Sequence, residues 1–227
     1  MCGRFVTYSP FEEIIQTFGI ELVLIDEYMP SYNIAPSNEV LVVFEKEEKV
    51  VLDKFRWGLV PSWSKDTNIG YKMINARAET LTDKKSFKHL VNSKRCGIVA
   101  NGFYEWRIEG HSKIPYFIKL KDGRLFCFAG LYDTWQIDNN NELYTCTIIT
   151  TDANEKISQI HDRMPVMLEK EEVEKWIDTK NSFDNLKRLL RAKDDDEIEL
   201  YQVSNKVNSP KNNSKSNLIP EVKNTLF

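Results

Sequence analysis

The sequence contains no apolar run approaching the ~20 residues that a membrane-spanning helix needs. Its first ten residues, Met-Cys-Gly-Arg-Phe-Val-Thr-Tyr-Ser-Pro, hold no apolar segment of the secretory type. The expectation is a cytoplasmic protein with no membrane partner. There is no Cys-x-x-Cys pair and no histidine at zinc-site spacing from a cysteine, so neither a metal nor an organic cofactor is indicated. The four cysteines, at positions 2, 96, 127 and 146, are too scattered for a disulfide frame and are expected to be free thiols. Charge of one sign is also missing: 31 Lys and Arg against 34 Asp and Glu leave a net charge of −3. Bulk electrostatics therefore gives no support to non-specific nucleic-acid binding, and a polyanionic partner would need a local basic cluster. No internal repeat and no long linker divides the 227 residues, which read as one domain. From about residue 208 onward, a stretch rich in Asn, Ser and Lys is expected to form a partly flexible tail.

What is present reads as α+β. Ser9 and Pro10 followed by Glu12 form a helix start signal, with Phe11, Ile14, Ile15 and Phe18 at helical spacing and Gly19 as the stop. Val40–Phe44 and Val50–Trp57 flank a charged turn and predict a hairpin. Further strands are expected at Gly97–Phe103, Tyr116–Leu120, Leu125–Leu131, Leu143–Thr150 and Leu200–Val203, with Asp122-Gly123 as a turn. Helices return at Glu171–Asp178 and Phe183–Ala192. Strands dominate the middle and helices lie outside them, rather than alternating in βαβ units.

Cys96, Cys127 and Cys146 sit in apolar strand-like runs and read as small buried hydrophobes. Cys2 differs because of its position. Removal of Met1 would expose an α-amine with a pKa of about 7.7–8.0, so about a tenth of it is unprotonated at neutral pH. That amine can form a Schiff base with an aldehyde, and the thiol on the adjacent carbon can close a thiazolidine ring. The thiol could instead attack a carbonyl with the amine as base, as in N-terminal nucleophile hydrolases. A buried second residue without chemical importance is a third reading, so Cys2 needs company. Three segments offer it. Ile74-Asn-Ala-Arg-Ala-Glu-Thr80 puts Asn75, Arg77 and Glu79 on one face if extended. Gly102-Phe-Tyr-Glu-Trp106 sets Glu105 between large aromatics, where a carboxyl is raised and can act as a general acid. Ile160-His-Asp-Arg-Met-Pro165 holds the one His flanked by both a carboxylate and a guanidinium, His161, while His89 and His111 read as surface residues.

Taken in order, these segments resemble the SRAP family (SOS-response-associated peptidase), whose members crosslink to abasic sites in single-stranded DNA. The resemblance also includes Met-Cys-Gly-Arg-Phe at the start, Tyr32-Asn-Ile-Ala-Pro36, Trp57-Gly-Leu-Val-Pro-Ser-Trp63, Thr150 and Val203-Ser204, and spans nearly the whole chain. It implies a single compact domain with a twisted, barrel-like antiparallel β core and peripheral helices. It implies that Cys2 forms a thiazolidine with the ring-opened sugar aldehyde, Asn75 orients the Cys2 terminus, Glu105 acts as acid and base, and His161 shuttles protons or stabilises the opened sugar hydroxyl. Arg4, Arg77 and Arg163 match phosphate-holding positions and Trp63 a stacking or wedging residue; Asn33, Pro36, Lys85 and Thr150 join them as DNA-binding positions. The partner implied is single-stranded DNA containing abasic sites, bound by a monomer. Two departures stand out: Ser64 follows Trp63 where many relatives carry a second aromatic, and Lys85 stands where relatives often have Arg. Beside covalent capture, two readings stay open: a Cys-dependent hydrolase, either peptidase or amidotransferase, and a non-covalent single-strand-binding module.

Overall fold

The computed structural model describes residues 2–221 of the chain. In chain order its strands and helices are β1 (Phe5–Thr7), α1 (Phe11–Phe18), β2 (Leu22–Val23), β3 (Ser31–Ile34), β4 (Glu39–Lys46), β5 (Lys49–Trp57), β6 (Asn75–Arg77), β7 (Arg95–Ala100) and β8 (Gly102–Glu109). There follow β9 (Ser112–Leu120), β10 (Phe126–Gln136), β11 (Glu142–Asp152), α2 (Glu155–Ser158), β12 (Arg163–Pro165), β13 (Met167–Leu168), α3 (Lys170–Ile177), α4 (Phe183–Leu186) and β14 (Ile198–Gln202).

Five strands close a barrel. β11, β10, β7, β4 and β5 pair antiparallel in that order, and β5 returns to β11 through the pairs Thr145–Arg56 and Cys146–Trp57. The barrel-like core expected from the resemblance is therefore present, but its closing pair is parallel, which makes it mixed rather than purely antiparallel. β6 adds to β11 in parallel, placing Asn75 opposite Ile148 and Arg77 opposite Thr150. A second, antiparallel sheet runs β14-β9-β8-β1-β3. Apolar side chains from both sheets interlock: Phe5 of β1 meets Trp57 at 5.1 Å and Phe128 at 5.4 Å, both edge-on.

The predicted strand Gly97–Phe103 is two strands, because the chain changes sheets at Asn101. That buried amide accepts from the Tyr8 and Ser9 backbone N–H groups and donates to Ser9 Oγ. Ser9 is thus spent on the sheet crossing, and the N-cap position of α1 falls to Pro10, without a side-chain cap. The stop at Gly19 is as read, in the left-handed region at φ 60°. The predicted helix over 183–192 is shorter, ending at Leu186 and continuing as a 3₁₀ turn. Arg95, 1% exposed, explains how the helical side is fastened: its guanidinium donates to the carbonyls of Val91, Asn92, Trp176, Asp178 and Asn181.

Residues 208–221 do not trail into solvent. The Val207, Ser209 and Asn212 carbonyls accept from Asn33 Nδ2, Asn217 is buried, and Glu221 N–H donates to the Gln202 carbonyl. The rest of the expected tail, 222–227, lies outside the described residues. No described helix is long and apolar enough to cross a membrane.

Candidate active site

The first turn of chain after Cys2 enters the sheet as β1, so pairing of Phe5 with Phe103 and of Val6 with Gly102 fixes where Cys2 lies. Its side chain is fully buried, and its carbonyl accepts from Asn75 Nδ2 at 2.9 Å. Asn75 in turn is held by the parallel β6–β11 pairing. Asn75 Oδ1 is buried with no hydrogen-bond partner among the described residues. A buried polar atom normally finds a partner.

Glu105 enters from β8, where it stands opposite Tyr116, and is 3% exposed. Burial pushes its carboxyl up, against the opposing pull of the amino-terminal charge and of His161. Burial also pushes the Cys2 thiol far above its ordinary range, and the Glu105 charge adds to the rise. The Cys2 sulfur is therefore a neutral thiol at neutral pH. His161 follows α2, whose N-cap Asn154 accepts from the Ile157 N–H. The Arg163 backbone N–H donates to His161 Nδ1 at 3.0 Å, which puts the neutral ring's proton on Nε2. Asp162 Oδ1 lies 2.9 Å from the same Nδ1 and pairs with the ring when it is charged. Glu105 and His161 line one cleft of about 490 Å³ with Arg4, Trp106, Ile108, Lys113 and Asn208.

The sequence-predicted DNA residues separate into two groups. Arg4 lines the cleft, donating to Asn33 Oδ1 and the Val207 carbonyl, with its guanidinium 5.8 Å from the Trp106 ring centre. Asn33 is buried and ties Arg4 to the C-terminal segment. Thr150 is buried in the β6–β11 pairing, and Pro36 sits half-buried in the turn before β4, outside the cleft lining. Arg163 is 7% exposed and bound to Glu79, Asp152 and the Thr150 carbonyl, so its guanidinium faces protein carboxylates. Arg77, by contrast, is exposed. So is Trp63, at 48%, with Lys85 Nζ over its ring at 4.9 Å.

Sequence reading missed Ile108, Lys113 and Asn208 as cleft-lining residues. The β8–β9 pairing of Ile108 with Lys113 brings those two to the cleft. Asn208, which accepts from the Trp106 indole N–H, arrives only through long-range folding. Among the described residues no group of three or more His, Cys, Asp or Glu side chains could hold a metal ion.

Comparison with known proteins bears on the family and the fold. The sequence matches the model of the SOS response associated peptidase (SRAP) family over residues 1–210. It is 54% identical to the abasic site processing protein YoqW of Bacillus subtilis, over 94% of this chain and 97% of that one. It is 36% identical to the abasic site processing protein HMCES of Gallus gallus, over 85% of this chain and 67% of the relative. A crystal structure of a protein from Bacteroides thetaiotaomicron superposes with a TM-score of 0.86 at 30% identity, covering 97% of this chain and all of that one.

Proposed function

This chain belongs to the SOS response associated peptidase (SRAP) family, and from that premise we propose that it covalently captures abasic sites in single-stranded DNA. The bond would run through a thiazolidine at Cys2, once Met1 is removed. The observation that carries the reading is the seating of Cys2: buried, held at its carbonyl by Asn75, and within the electrostatic reach of Glu105. The reaction balances without a cofactor. The α-amine adds to the aldehyde of the ring-opened sugar, and loss of one water gives an imine. The S–H then adds across C=N, sulfur bonding to carbon and the proton passing to nitrogen.

Each of these groups has a task in that sequence. The raised Glu105 carboxyl is suited to give a proton to the departing hydroxyl and to take it back in reversal. Asn75 Oδ1 offers the α-amine an acceptor that would orient its lone pair. His161 Nε2–H is suited to the sugar oxygen released on ring opening. A thiol pushed up by burial argues for attack by the amine first, and against a thiolate-led peptidase or amidotransferase. The relatives named abasic site processing proteins support the substrate class. Exposed Arg77 and the Trp63–Lys85 pair provide the cation and the aromatic face that single-strand binding uses. We propose this activity for a cytoplasmic monomer.

The test is intact-mass measurement of the protein before and after exposure to an abasic single-stranded oligonucleotide. The expected result is loss of Met1 and then addition of the oligonucleotide mass minus one water, without reductant, in wild type but not in Cys2→Ala. A correctly processed protein that gains no mass overturns the proposal. Release of ammonia from glutamine, or Cys2-dependent peptide cleavage, would replace it by a hydrolase.

A further inference from the structure

Trp63 lies in a loop that connects β5 to β6, and its two flanking residues are both gripped by β10. Asp133, 2% exposed, accepts from the Ser62 backbone N–H at 2.8 Å. Two residues on along β10, the Trp135 indole N–H donates to the Ser64 carbonyl at 2.8 Å. The loop's base is fixed as well, because Gly58, at φ 123°, lies so near Gly70 that a Cβ there would stand 2.7 Å from the Gly70 carbonyl oxygen. The same Asp133 carboxylate also reaches the segment that carries Lys85. His89 Nε2 lies 3.6 Å from Asp133 Oδ2, while His89 Nδ1 is 3.2 Å from the Lys85 carbonyl. Lys94 Nζ adds a cation 3.5 Å from Asp133 Oδ1.

A buried carboxylate is costly and persists where its bonds repay it. Here they converge on the two arms that meet as an aromatic ring and an ammonium group. We propose that Asp133 and Trp135 are positioning residues that set Trp63 and Lys85 as a rigid platform for a base and its adjoining phosphate. In this chain Ser64 follows Trp63, so a bulky ring is absent beside it and the loop's orientation rests on these two side chains from below. The inference rests on the proposed single-strand binding, and on Trp63 as its stacking residue.

The experiment measures binding of a fluorescein-labelled single-stranded oligonucleotide without abasic sites by anisotropy, so that it does not depend on crosslinking. The variants are Trp63→Ala, Trp135→Phe, Asp133→Asn and the double variant Trp63→Ala with Trp135→Phe. Trp63→Ala is expected to weaken binding about fivefold to a hundredfold, the range of one base–aromatic stack. Trp135→Phe, which keeps the ring and removes the N–H, should weaken it about two- to fivefold. In the Trp63→Ala background the same change should have no further effect, a coupling that a general loss of stability cannot produce. Asp133→Asn keeps an acceptor for Ser62 and should fall between wild type and Trp63→Ala. If Trp63→Ala leaves affinity unchanged, the stacking reading itself fails. If Trp63→Ala weakens binding while Trp135→Phe does not, or does so equally in both backgrounds, the positioning role is overturned.

Discussion

The Cys2 site and the Trp63 platform are built in opposite ways. At the Cys2 site, Cys2 and Glu105 are buried, and Asn75, half-buried on β6, holds the Cys2 carbonyl; the three come from distant parts of the chain. Burial there moves proton affinities, and each polar atom acts on a neighbour a few ångströms away. On the platform, Trp63 and Lys85 stand in solvent on loops. On the proposed function, exposure would set how tightly a strand is held and burial what happens to it. Substitutions in the cleft should therefore move rates by orders of magnitude, and those on the platform should move affinities by modest factors.

The sharpest break of that contrast is Cys2→Ala. Crosslinking, read as a shifted band on a denaturing gel, should fall at least about a thousandfold because the sulfur that locks the imine as a thiazolidine is lost, and the remaining α-amine gives only a reversible imine. Affinity for undamaged single-stranded DNA should stay within about twofold. Retained Met1 should be as damaging as the substitution, since it removes the free amine and leaves the thiol alone.

Glu105→Gln comes next, with an expected loss of about a hundredfold in crosslinking rate, the lower range for a general acid. Its effect on stability should have the opposite sign. Burial raises the folded-state carboxyl above its unfolded value, so between the two values the folded state binds more protons than the unfolded state. Stability therefore falls as pH rises through that window, and the loss persists at neutral pH. Gln carries no such charge. At pH 7 the variant should melt higher than wild type, and the difference should vanish below about pH 4, where both states are protonated. Thermal melts at pH 4 and pH 7 check this, and a variant less stable than wild type at pH 7 would remove burial as the cause of the shift. Asn75→Ala should cost about tenfold in rate, the value of one oriented hydrogen bond, with little change in DNA affinity.

The sequence was legible wherever a residue's neighbours in the chain are also its neighbours in space. Gly19, the Asp122-Gly123 turn and the 40–57 hairpin are decided by local φ preference and period-two patterning, and they stand where expected. The aromatic flanks of Glu105 likewise foretold its burial. What could not be read is what the barrel closure decides. The parallel return of β5 to β11, the division of the predicted strand at Asn101 and the anchoring of residues 208–221 by Asn33 each depend on contacts between positions tens of residues apart. The arginines show the same limit. Arg77 and Arg163 look alike as cations near polar segments, yet one faces solvent and the other faces Glu79 and Asp152.

That pair gives the smallest and most discriminating test. Arg163→Ala strips the buried joint between β12 and the Glu79 segment and should lower stability by about 1–3 kcal/mol, the range for hydrogen bonds to charged groups. Arg77→Ala removes an exposed side chain and should change stability by less than about 0.5 kcal/mol. Its effect belongs to DNA instead: affinity for single strands should drop severalfold at low salt. The slope of log affinity against log salt should become shallower by about 0.7, the counterion release of one phosphate contact on a single strand. Arg163→Ala, assayed well below its melting temperature, should leave that slope unchanged, because its guanidinium already has protein partners. A slope change for Arg163 as large as for Arg77 would mean that DNA displaces Glu79 and Asp152, and the division between structural and binding arginines would have to be withdrawn.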